Sequence, residues 1–482
     1  MPENSWPENN SYNEFEPLGS LLADLTDLSD LPESDPLDSA LSPQQEGRRR
    51  KAAVALMIIW SGTIALHLFS GGFWLVFGVT TLMGVHALRI LGARSLPIPE
   101  PLSDMASEAD FPFVSLLVAA KNEEAVISHL VKTLCELDYP ASRYELWIID
   151  DNSTDKTSVL LEQLAQKYEQ LRVLRRLSGA GGGKSGALNQ VLPLTKGEIV
   201  GVFDADAQVP KDLLRQILPL FQRQQVGAVQ VRKAIANADI NFWTQGQKVE
   251  MILDAFFQQQ RIAIGGIGEL RGNGQFVRRT ALEQCGNWNE ETITDDLDLT
   301  LRLHLEQWDI DCLLAPAVEE EGVTRGLALW HQRSRWAEGG YQSYLDYWQL
   351  IVRNRLGTGK TLDLVMFWIM KYILPTAALP DFLMAIARNR PPLFLPMTSL
   401  TVALSFIGML VGLKRLHKAE ETSFLPLMML IQALRGTLYM FHWLPVIAST
   451  TFRMSIRPKR LKWVKTSHQG TGEVWLDIPE QP

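Results

Sequence analysis

Long apolar stretches lie on both sides of the middle of the chain. Residues 52–69 and 72–91 form two such stretches, each near the ~20 residues that a helix needs to cross ~30 Å of hydrocarbon. We interpret residues 48–95 as a transmembrane hairpin. A cleaved signal peptide is the alternative, but the first stretch begins far along the chain and a second follows almost at once. Three further stretches, at 362–387, 392–413 and 424–449, predict transmembrane or interfacial helices in segment 360–450.

Basic residues near these stretches predict the topology. The cluster at 48–51 precedes the hairpin, and Arg89 and Arg94 lie at its end, so the positive-inside rule places both hairpin ends in the cytoplasm. Three later spans would put the basic residues 453–465 outside, against the same rule. We therefore expect stretch 362–387, which Pro375 and Pro380 interrupt, to be interfacial or re-entrant. The region between the two membrane segments is then cytosolic.

Between the membrane segments the pattern becomes short apolar runs that alternate with helical stretches. Runs at 114–120, 146–149, 172–175 and 199–203 predict strands, and 127–137 predicts a helix. This alternation indicates an α/β domain over residues 110–350 with a mostly parallel sheet. In such sheets ligands bind beyond the carboxyl ends of the strands. The helical pattern at 241–262 fits either a stripe facing the core or a surface in the bilayer interface.

Composition defines the two ends. Residues 1–47 hold 11 of the 54 acidic residues and no Lys or Arg, which predicts a disordered acidic tail, and residues 451–482 form a basic C-terminal tail. The remainder has 43 acidic residues against 46 basic ones, so no nucleic-acid partner is expected. Three scattered cysteines fit neither a disulfide framework nor a zinc site.

Acidic residues follow two of the predicted strands. Asp151 follows the second strand, and Asp204 and Asp206 follow the fourth. An Asp-rich turn is the commoner explanation for each motif alone. The alternative is functional, because paired carboxylates suit a divalent metal that also binds phosphate oxygens.

Glycines surround two further candidates. The run 179–186 fails as a Walker A loop because that motif needs glycine at Ser178. It predicts a flexible loop that carries Lys184 to an anionic ligand, with a helix from Ala187. In run 271–276, Gly274 and Gln275 belong either to a backbone that a ligand approaches closely or to a hairpin turn.

Two last clusters are predicted on helices. Asp295, Asp296 and Asp298 open one helix, where capping explains one or two acids but not three close together. Crowding of this kind can raise the pKa of a general base. The run 332–340 alone would pass for the edge of an amphipathic helix with snorkelling arginines.

The order and spacing of these motifs resemble the processive-type branch of the family 2 glycosyltransferases, which have the GT-A fold. The resemblance covers about residues 111–347 and rests on six motifs at 121–124, 151, 184–189, 204–206, 294–296 and 332–336. It implies that Asp296 is the catalytic base. It assigns donor binding to Asn122, Glu123, Asp151, Lys184, Asp204 and Asp206, of which Asp204 and Asp206 also hold Mg²⁺ or Mn²⁺. It assigns the acceptor and donor-sugar site to Gly274, Gln275, Asp295, Gln332, Arg335 and Trp336.

Two positions depart from the family pattern. Lys121 stands where many relatives carry an aromatic residue, and Asp295 replaces the usual glutamate before the base. The stacking of an aromatic side chain on the nucleotide base and the adjustment of the pKa of Asp296 are therefore the family features that the resemblance supports least. The implied chemistry is a single displacement that inverts the anomeric carbon.

Over the whole chain the resemblance is to cyanobacterial lipid glucosyltransferases of this family, through the runs 181–190, 265–276 and 330–333. It implies transfer of glucose from UDP-glucose to 1,2-diacylglycerol, giving β-monoglucosyldiacylglycerol. It also implies a multi-pass protein of the plasma membrane or thylakoid, in contact with the lipid bilayer. A processive β-polysaccharide synthase shares every motif and remains the alternative.

Overall fold

The computed structural model describes residues 43–103, 108, 111–420 and 425–456, with side chains from residue 47 onwards. The predicted acidic tail up to residue 42 and the basic tail from residue 457 lie outside the described residues. Helix α1 spans Pro43–Leu68, so residues 43–47, which we had assigned to the tail, are helical. Helix α2 spans Gly72–Gly92 and completes the predicted hairpin.

A seven-stranded sheet forms the centre of the protein. Its strands are β1 (Val114–Ala120), β2 (Tyr144–Asp150), β3 (Leu171–Arg175), β4 (Ile199–Phe203), β5 (Val226–Ile235), β6 (Gln275–Arg278) and β7 (Asp309–Glu320). The order across the sheet is β3-β2-β1-β4-β6-β5-β7, and within it β6 runs antiparallel to β4 and β5. The four predicted strands are confirmed.

Helices cover both faces of the sheet because its central strands are buried on both sides. They are α3 (Ile127–Cys135), α4 (Thr157–Lys167), α5 (Gly183–Val191), α6 (Leu213–Ile217), α7 (Phe242–Ala263), α8 (Arg279–Gln284), α9 (Asp295–Leu305) and α10 (Gly326–Val352). Successive residues of β1 belong to different apolar cores: Leu116 and Val118 face one core, and Leu117 faces the other. This alternation is the expected two-residue period of a strand.

Helix α7 joins the sheet domain to the membrane helices. Asn241 caps it, since the Asn241 side chain accepts hydrogen bonds from the backbone N–H groups of Trp243 and Thr244. Its Val249 and Leu253 side chains are buried in one cluster with residues of the C-terminal helices. The apolar stripe of this helix therefore faces a core, which was one of the two predicted alternatives.

Among the described residues, four helices follow the sheet domain: α11 (Thr358–Ala387), α12 (Leu395–Ala419), α13 (Pro426–Met440) and α14 (Trp443–Ile456). Helix α11 contains a π-helical segment at Ile369–Ile373 and continues through Pro375 and Pro380. The expectation that the prolines interrupt this stretch is wrong. The last stretch is interrupted instead, between Met440 and Trp443.

Four helices are long and apolar enough to cross a membrane within the part of the chain that the structure describes. They are Gly47–Leu68, Gly72–Gly92, Thr358–Ala387 and Leu395–Ala419. Helices α13 and α14 are each too short to be included, since neither reaches 18 residues.

Candidate active site

A cleft of about 520 Å³ lies at the carboxyl ends of β1, β2 and β4. Parallel pairing brings these ends together, with Ala120 of β1 in register with Asp150 of β2. Ten of the residues predicted from the sequence line the cleft: Glu123, Asp151, Lys184, Asp204, Asp206, Asp295, Asp296, Gln332, Arg335 and Trp336. Residues up to 213 positions apart in the chain thus share one site, as the position of ligands in open α/β sheets predicts.

Asp151 is held in place by an arginine that the sequence analysis did not single out. Arg176 Nη1 donates to Asp151 Oδ1 at 2.7 Å, and Lys121 Nζ lies 3.7 Å from Asp151 Oδ2. The same buried guanidinium donates to the carbonyl oxygens of Gly181 and Gly183. Arg176 therefore fixes the glycine-rich run against the end of β2. In the sequence, the position of Arg176 directly after β3 was the feature that could have indicated this role.

Lys184 contacts Asp204 directly. The ammonium Nζ donates to Asp204 Oδ1 at 2.5 Å. Burial alone would lower the pKa of Lys184, but the carboxylates of Asp204 and Asp295 outweigh it and raise the pKa above its ordinary value. The expected helix start at Ala187 is wrong, because α5 begins at Gly183 and carries Lys184 in its first turn.

Asp204 and Asp206 lie in a turn after β4, closed by a hydrogen bond from the Ala207 N–H to the Asp204 carbonyl. Asp206 Oδ2 accepts a hydrogen bond from the Glu321 backbone N–H at 3.1 Å. Among the described residues, no group of three or more His, Cys, Asp or Glu is placed to hold a metal ion. The protein can therefore offer carboxylate oxygens from these two residues, while further ligands must come from a substrate or water.

Asp296 lies in the first turn of α9 and faces the cleft. Burial and the neighbouring Asp295 carboxylate raise its pKa to about 6, although the Leu297 N–H, Arg271 and Lys184 act in the opposite direction. A Cβ on Gly272 would approach Asp296 Oδ2 to 3.4 Å, and Gly272 has a φ of 82°, which favours glycine. The arrangement is suited to a carboxylate that accepts a proton near neutral pH.

Asp298 is separate from this pair. It is buried, and it accepts hydrogen bonds from Arg302 Nε at 2.7 Å, from the Tyr347 hydroxyl at 2.9 Å and from the Asn289 side-chain amide at 3.0 Å. Of the three acidic residues in this motif, Asp295 and Asp296 line the cleft, and Asp298 stabilises the helix.

Helix α10 carries the Gln332 to Trp336 motif along one side of the cleft. Arg333 is fully buried, and its guanidinium carbon lies 3.9 Å from the centroid of the Trp336 ring. Lys233 Nζ lies 5.2 Å from the same centroid. Burial lowers the pKa of Arg335, while the nearby Asp204, Asp296 and Asp295 carboxylates raise it by a smaller amount. Both cations lie within the distance of a cation–π interaction with the indole, and these contacts help to hold the Trp336 side chain in place.

Three predicted residues do not line the cleft. The Asn122 side chain accepts a hydrogen bond from the Thr154 N–H, so it joins two loops. Gly274 packs against Val318 beneath the cleft. Gln275 is fully buried on β6, and neither amide atom has a hydrogen-bond partner among the described residues. We leave Asn122, Gly274 and Gln275 out of the proposed roles.

Other charged residues line the cleft without a prediction from the sequence. Glu320 ends β7 and Glu321 follows it, Glu250 and Asp254 lie on α7, and Lys371 lies on α11. Glu250 and Asp254 have the i, i+4 spacing that places two side chains on one face of a helix, and this spacing was the sequence signal for the pair. No local pattern indicated Lys371, which reaches the cleft only through packing of the membrane helices.

The sheet order and the clustered aspartates define a nucleotide-sugar transferase of GT-A fold. A family model described as "Glycosyltransferase like family 2" matches residues 112–339. Full-length curated relatives that are 54–62% identical extend the match to 98–100% of the chain. The chain belongs to the family 2 glycosyltransferases.

Within that family, the chain is similar to curated proteins named "Beta-monoglucosyldiacylglycerol synthase". The one from Nostoc sp. is 62% identical over 98% of this chain and 100% of the relative. The one from Synechocystis sp. is 54% identical over 100% of both chains. A solved mannosyltransferase from Pyrobaculum calidifontis, in complex with GDP-Man and Mn²⁺, has a TM-score of 0.51 at 22% identity, covering 81% of this chain and 99% of its own. The last comparison shows the fold alone.

Proposed function

We propose that this protein is an inverting glucosyltransferase that moves glucose from UDP-glucose to 1,2-diacylglycerol, giving β-monoglucosyldiacylglycerol. Identity of 54–62% over nearly the full chain with synthases of that name carries the proposal. The cleft supports it independently, because two carboxylates and a lysine face two further carboxylates within a single cavity.

The donor occupies the sheet side of the cleft in this proposal. Asp151, held by Arg176, accepts hydrogen bonds from the uridine. Lys184 lies in the first turn of α5, where its charge and the helix N-terminus both favour the diphosphate. Arg335 approaches from α10 on the other side. The diphosphate then lies among cations that neutralise its charge.

A divalent metal, Mg²⁺ or Mn²⁺, fits the residues at the end of β4. Asp204 and Asp206 offer the hard oxygen ligands that these ions prefer. Two protein carboxylates suit an ion that also binds diphosphate oxygens. When bound, such an ion stabilises the charge that grows on the leaving diphosphate.

Asp296 is proposed as the general base. It accepts a proton from the acceptor hydroxyl, whose oxygen attacks the anomeric carbon as the bond to the diphosphate breaks. The α-linked donor then yields a β-linked product. A carboxylate with a pKa of about 6 is ionised at neutral pH yet more basic than an ordinary aspartate. Gln332, Trp336 and Asp295 line the remaining wall, where we assign contacts with the two substrates.

The protein is membrane-associated, and we propose that it spans a plasma or thylakoid membrane several times. The four helices that are long and apolar enough are even in number, so both ends of the spanning set lie on one side. Basic residues 48–51 place that side in the cytoplasm. The catalytic domain is then cytosolic.

The test is a transfer assay on membranes that contain this protein, with radiolabelled UDP-glucose or UDP-galactose and added diacylglycerol. Chromatography should show one glucolipid from UDP-glucose alone. The product should disappear in Asp296→Asn and after chelation of divalent metal, and persist in Asp239→Asn, which alters an exposed carboxylate outside the cleft. A water-insoluble polymer formed from UDP-sugar without diacylglycerol would identify a β-polysaccharide synthase and overturn the proposal.

A further inference from the structure

A second cavity, of about 310 Å³, lies between the helices on the membrane side of the cleft. Side chains from α2, α7, α11, α12, α13 and α14 line it, and most are apolar. On α2 the lining residues are Met83, His86, Ala87 and Ile90, which follow the spacing of one helix face. We call this space the interhelical cavity. Its size is within the ~300–1,000 Å³ of ordinary ligand pockets.

The interhelical cavity and the catalytic cleft adjoin each other. Five residues line both: Glu250, Asp254, Arg271, Lys371 and Trp443. The catalytic cleft is rich in charged side chains and contains the candidate base. The interhelical cavity is mostly apolar, and three of the helices around it, α2, α11 and α12, are long and apolar enough to span a membrane. A ligand that occupies both must therefore have a polar end and an apolar end.

The carboxylates in the walls of the interhelical cavity are paired with arginine. Glu250 Oε2 lies 2.6 Å from Arg333 Nη2, Asp254 Oδ1 lies 2.6 Å from Arg271 Nη2, and Asp363 Oδ2 lies 2.9 Å from Arg261 Nε. These groups neutralise one another, and Glu250 also accepts a hydrogen bond from the Trp443 indole at 2.7 Å. Most of the remaining polar side chains in the walls are uncharged hydroxyl and amide groups such as Thr398, Ser405 and Gln258, among a majority of apolar residues. This lining suits hydrocarbon, which needs no hydrogen-bond partner, better than it suits a hydroxyl-rich glycan chain.

Lys371 differs from these groups. It lies in the π-helical segment of α11, and its Nζ faces the rings of Phe367 at 5.1 Å, Tyr372 at 5.9 Å and Trp443 at 5.9 Å. Within the described residues its ammonium has no hydrogen bond or ion pair with a carboxylate. An ionisable side chain within a membrane helix is costly, and π-helical segments occur often at functional sites. Lys371 lies where the catalytic cleft and the interhelical cavity meet. It is therefore placed to bind a ligand that extends from one into the other.

We propose that the interhelical cavity holds an acyl chain of the diacylglycerol acceptor. We also propose that Lys371 donates hydrogen bonds to the ester oxygens where the cavity meets the catalytic cleft. This inference rests on the proposed function. It places the glycerol between Lys371 and Asp296, with its hydroxyl in the catalytic cleft and its hydrocarbon among α2, α11 and α12. Lys371 is then a positioning residue for the acceptor.

The first test fills the cavity from α2. Ala87 is 6% exposed and lines the cavity, whereas the adjacent Leu88 is 70% exposed and does not. Ala87→Phe should raise the KM for a long-chain diacylglycerol by about tenfold or more and leave the KM for UDP-glucose nearly unchanged. Leu88→Phe is the matched control and should alter neither constant. Equal KM values for diacylglycerol in the two variants, with both proteins folded, would overturn the inference.

The second test uses the unmodified protein and does not depend on the folding of a variant. A diacylglycerol with a diazirine at the end of one acyl chain is photolysed in membranes, and the labelled peptides are identified by mass spectrometry. Label should appear on cavity residues such as Met366 and Met370, and unlabelled diacylglycerol should compete for it. Label confined to outward-facing residues such as Leu88, or label that is not displaced, would contradict the proposed site.

The role of Lys371 has its own test. Lys371→Met should raise the KM for diacylglycerol far more than the KM for UDP-glucose, and Lys371→Arg should restore part of the loss because it retains donors. Equal changes in both KM values would indicate a structural role only and would overturn the assignment. Failure of the proposed function is distinguishable, since the wild-type protein would then make no glucolipid from diacylglycerol at all.

Discussion

Arg333 and Glu250 form an ion pair of 2.6 Å that joins α10 to α7 beneath the ring of Trp336. Arg333 is fully buried, and the Tyr439 hydroxyl donates to the same carboxylate at 2.9 Å. Burial alone would raise the pKa of Glu250, but Arg333 together with His442 and the hydrogen bonds from Trp443 and Tyr439 outweighs burial and holds the pKa below its ordinary value. The pair thus positions the cleft wall that carries Trp336.

Glu250→Ala should destabilise the protein because it leaves a buried guanidinium without its partner. Loss of one member of a buried ion pair costs about 3–5 kcal/mol. The measurement is thermal unfolding in detergent. The control is Glu283→Ala, which removes a half-exposed partner of Arg279 and should cost less than about 0.5 kcal/mol. Similar melting temperatures for the two variants would contradict the structural role of the pair.

The pH dependence of activity should follow Asp296. The ionised carboxylate is the active form of a general base, and its pKa is raised to about 6. The value of kcat/KM should therefore be constant above about pH 7 and fall about tenfold per pH unit well below pH 6. Measurement of transfer rates between pH 5 and 8 checks this. A profile that stays flat to pH 5 would assign the proton transfer to another group.

Asp296→Asn should make the protein more stable at neutral pH while it removes activity. The folded-state pKa is raised from 3.8, so the ionised form is disfavoured on folding and stability is lost as pH rises through that range. Asparagine carries no charge and so avoids this cost. The free energy of unfolding at pH 7.5 should therefore rise by about 1–2 kcal/mol, after allowance for the partial exposure of the side chain. Unfolding at pH 7.5 and 5 measures the difference, which should shrink at pH 5. An increase in stability that is the same at both pH values would contradict this explanation.

Divalent metal should be required through Asp206. Chelation should abolish transfer, and Mg²⁺ or Mn²⁺ should restore it. Asp206→Asn should raise the metal concentration for half-maximal activity by about tenfold or more, because the loss of a direct ligand costs at least as much as the loss of a supporting residue. Asp298→Asn is a useful comparison, since Asp298 is bound to Arg302 away from the cleft. It should affect stability without changing the metal requirement.

The membrane helices show that a local sequence pattern was not enough to predict where a helix is interrupted. Pro375 and Pro380 predicted an interruption in α11, yet the helix continues through both. The interruption falls near Phe441 instead, where His442 Nδ1 lies 2.6 Å from the Tyr439 carbonyl oxygen. Proline removes one backbone donor, but packing against neighbouring helices decides whether the helix ends there.

The sequence by itself determined four of the seven strands, the α/β fold class and ten of the residues that line the cleft. The strands follow from local periodicity, and the meeting of their carboxyl ends at one edge follows from parallel pairing. The site residues were assigned through the resemblance of their motifs to the family 2 glycosyltransferases. Only the tertiary structure decided that Asp298 points away from Asp296, that Gln275 lies within the sheet, and that Arg176 holds Asp151. It alone placed Lys371 beside the cleft. Those relationships join residues that are distant in the chain or on different faces of one element, and they depend on packing and charge pairing in three dimensions.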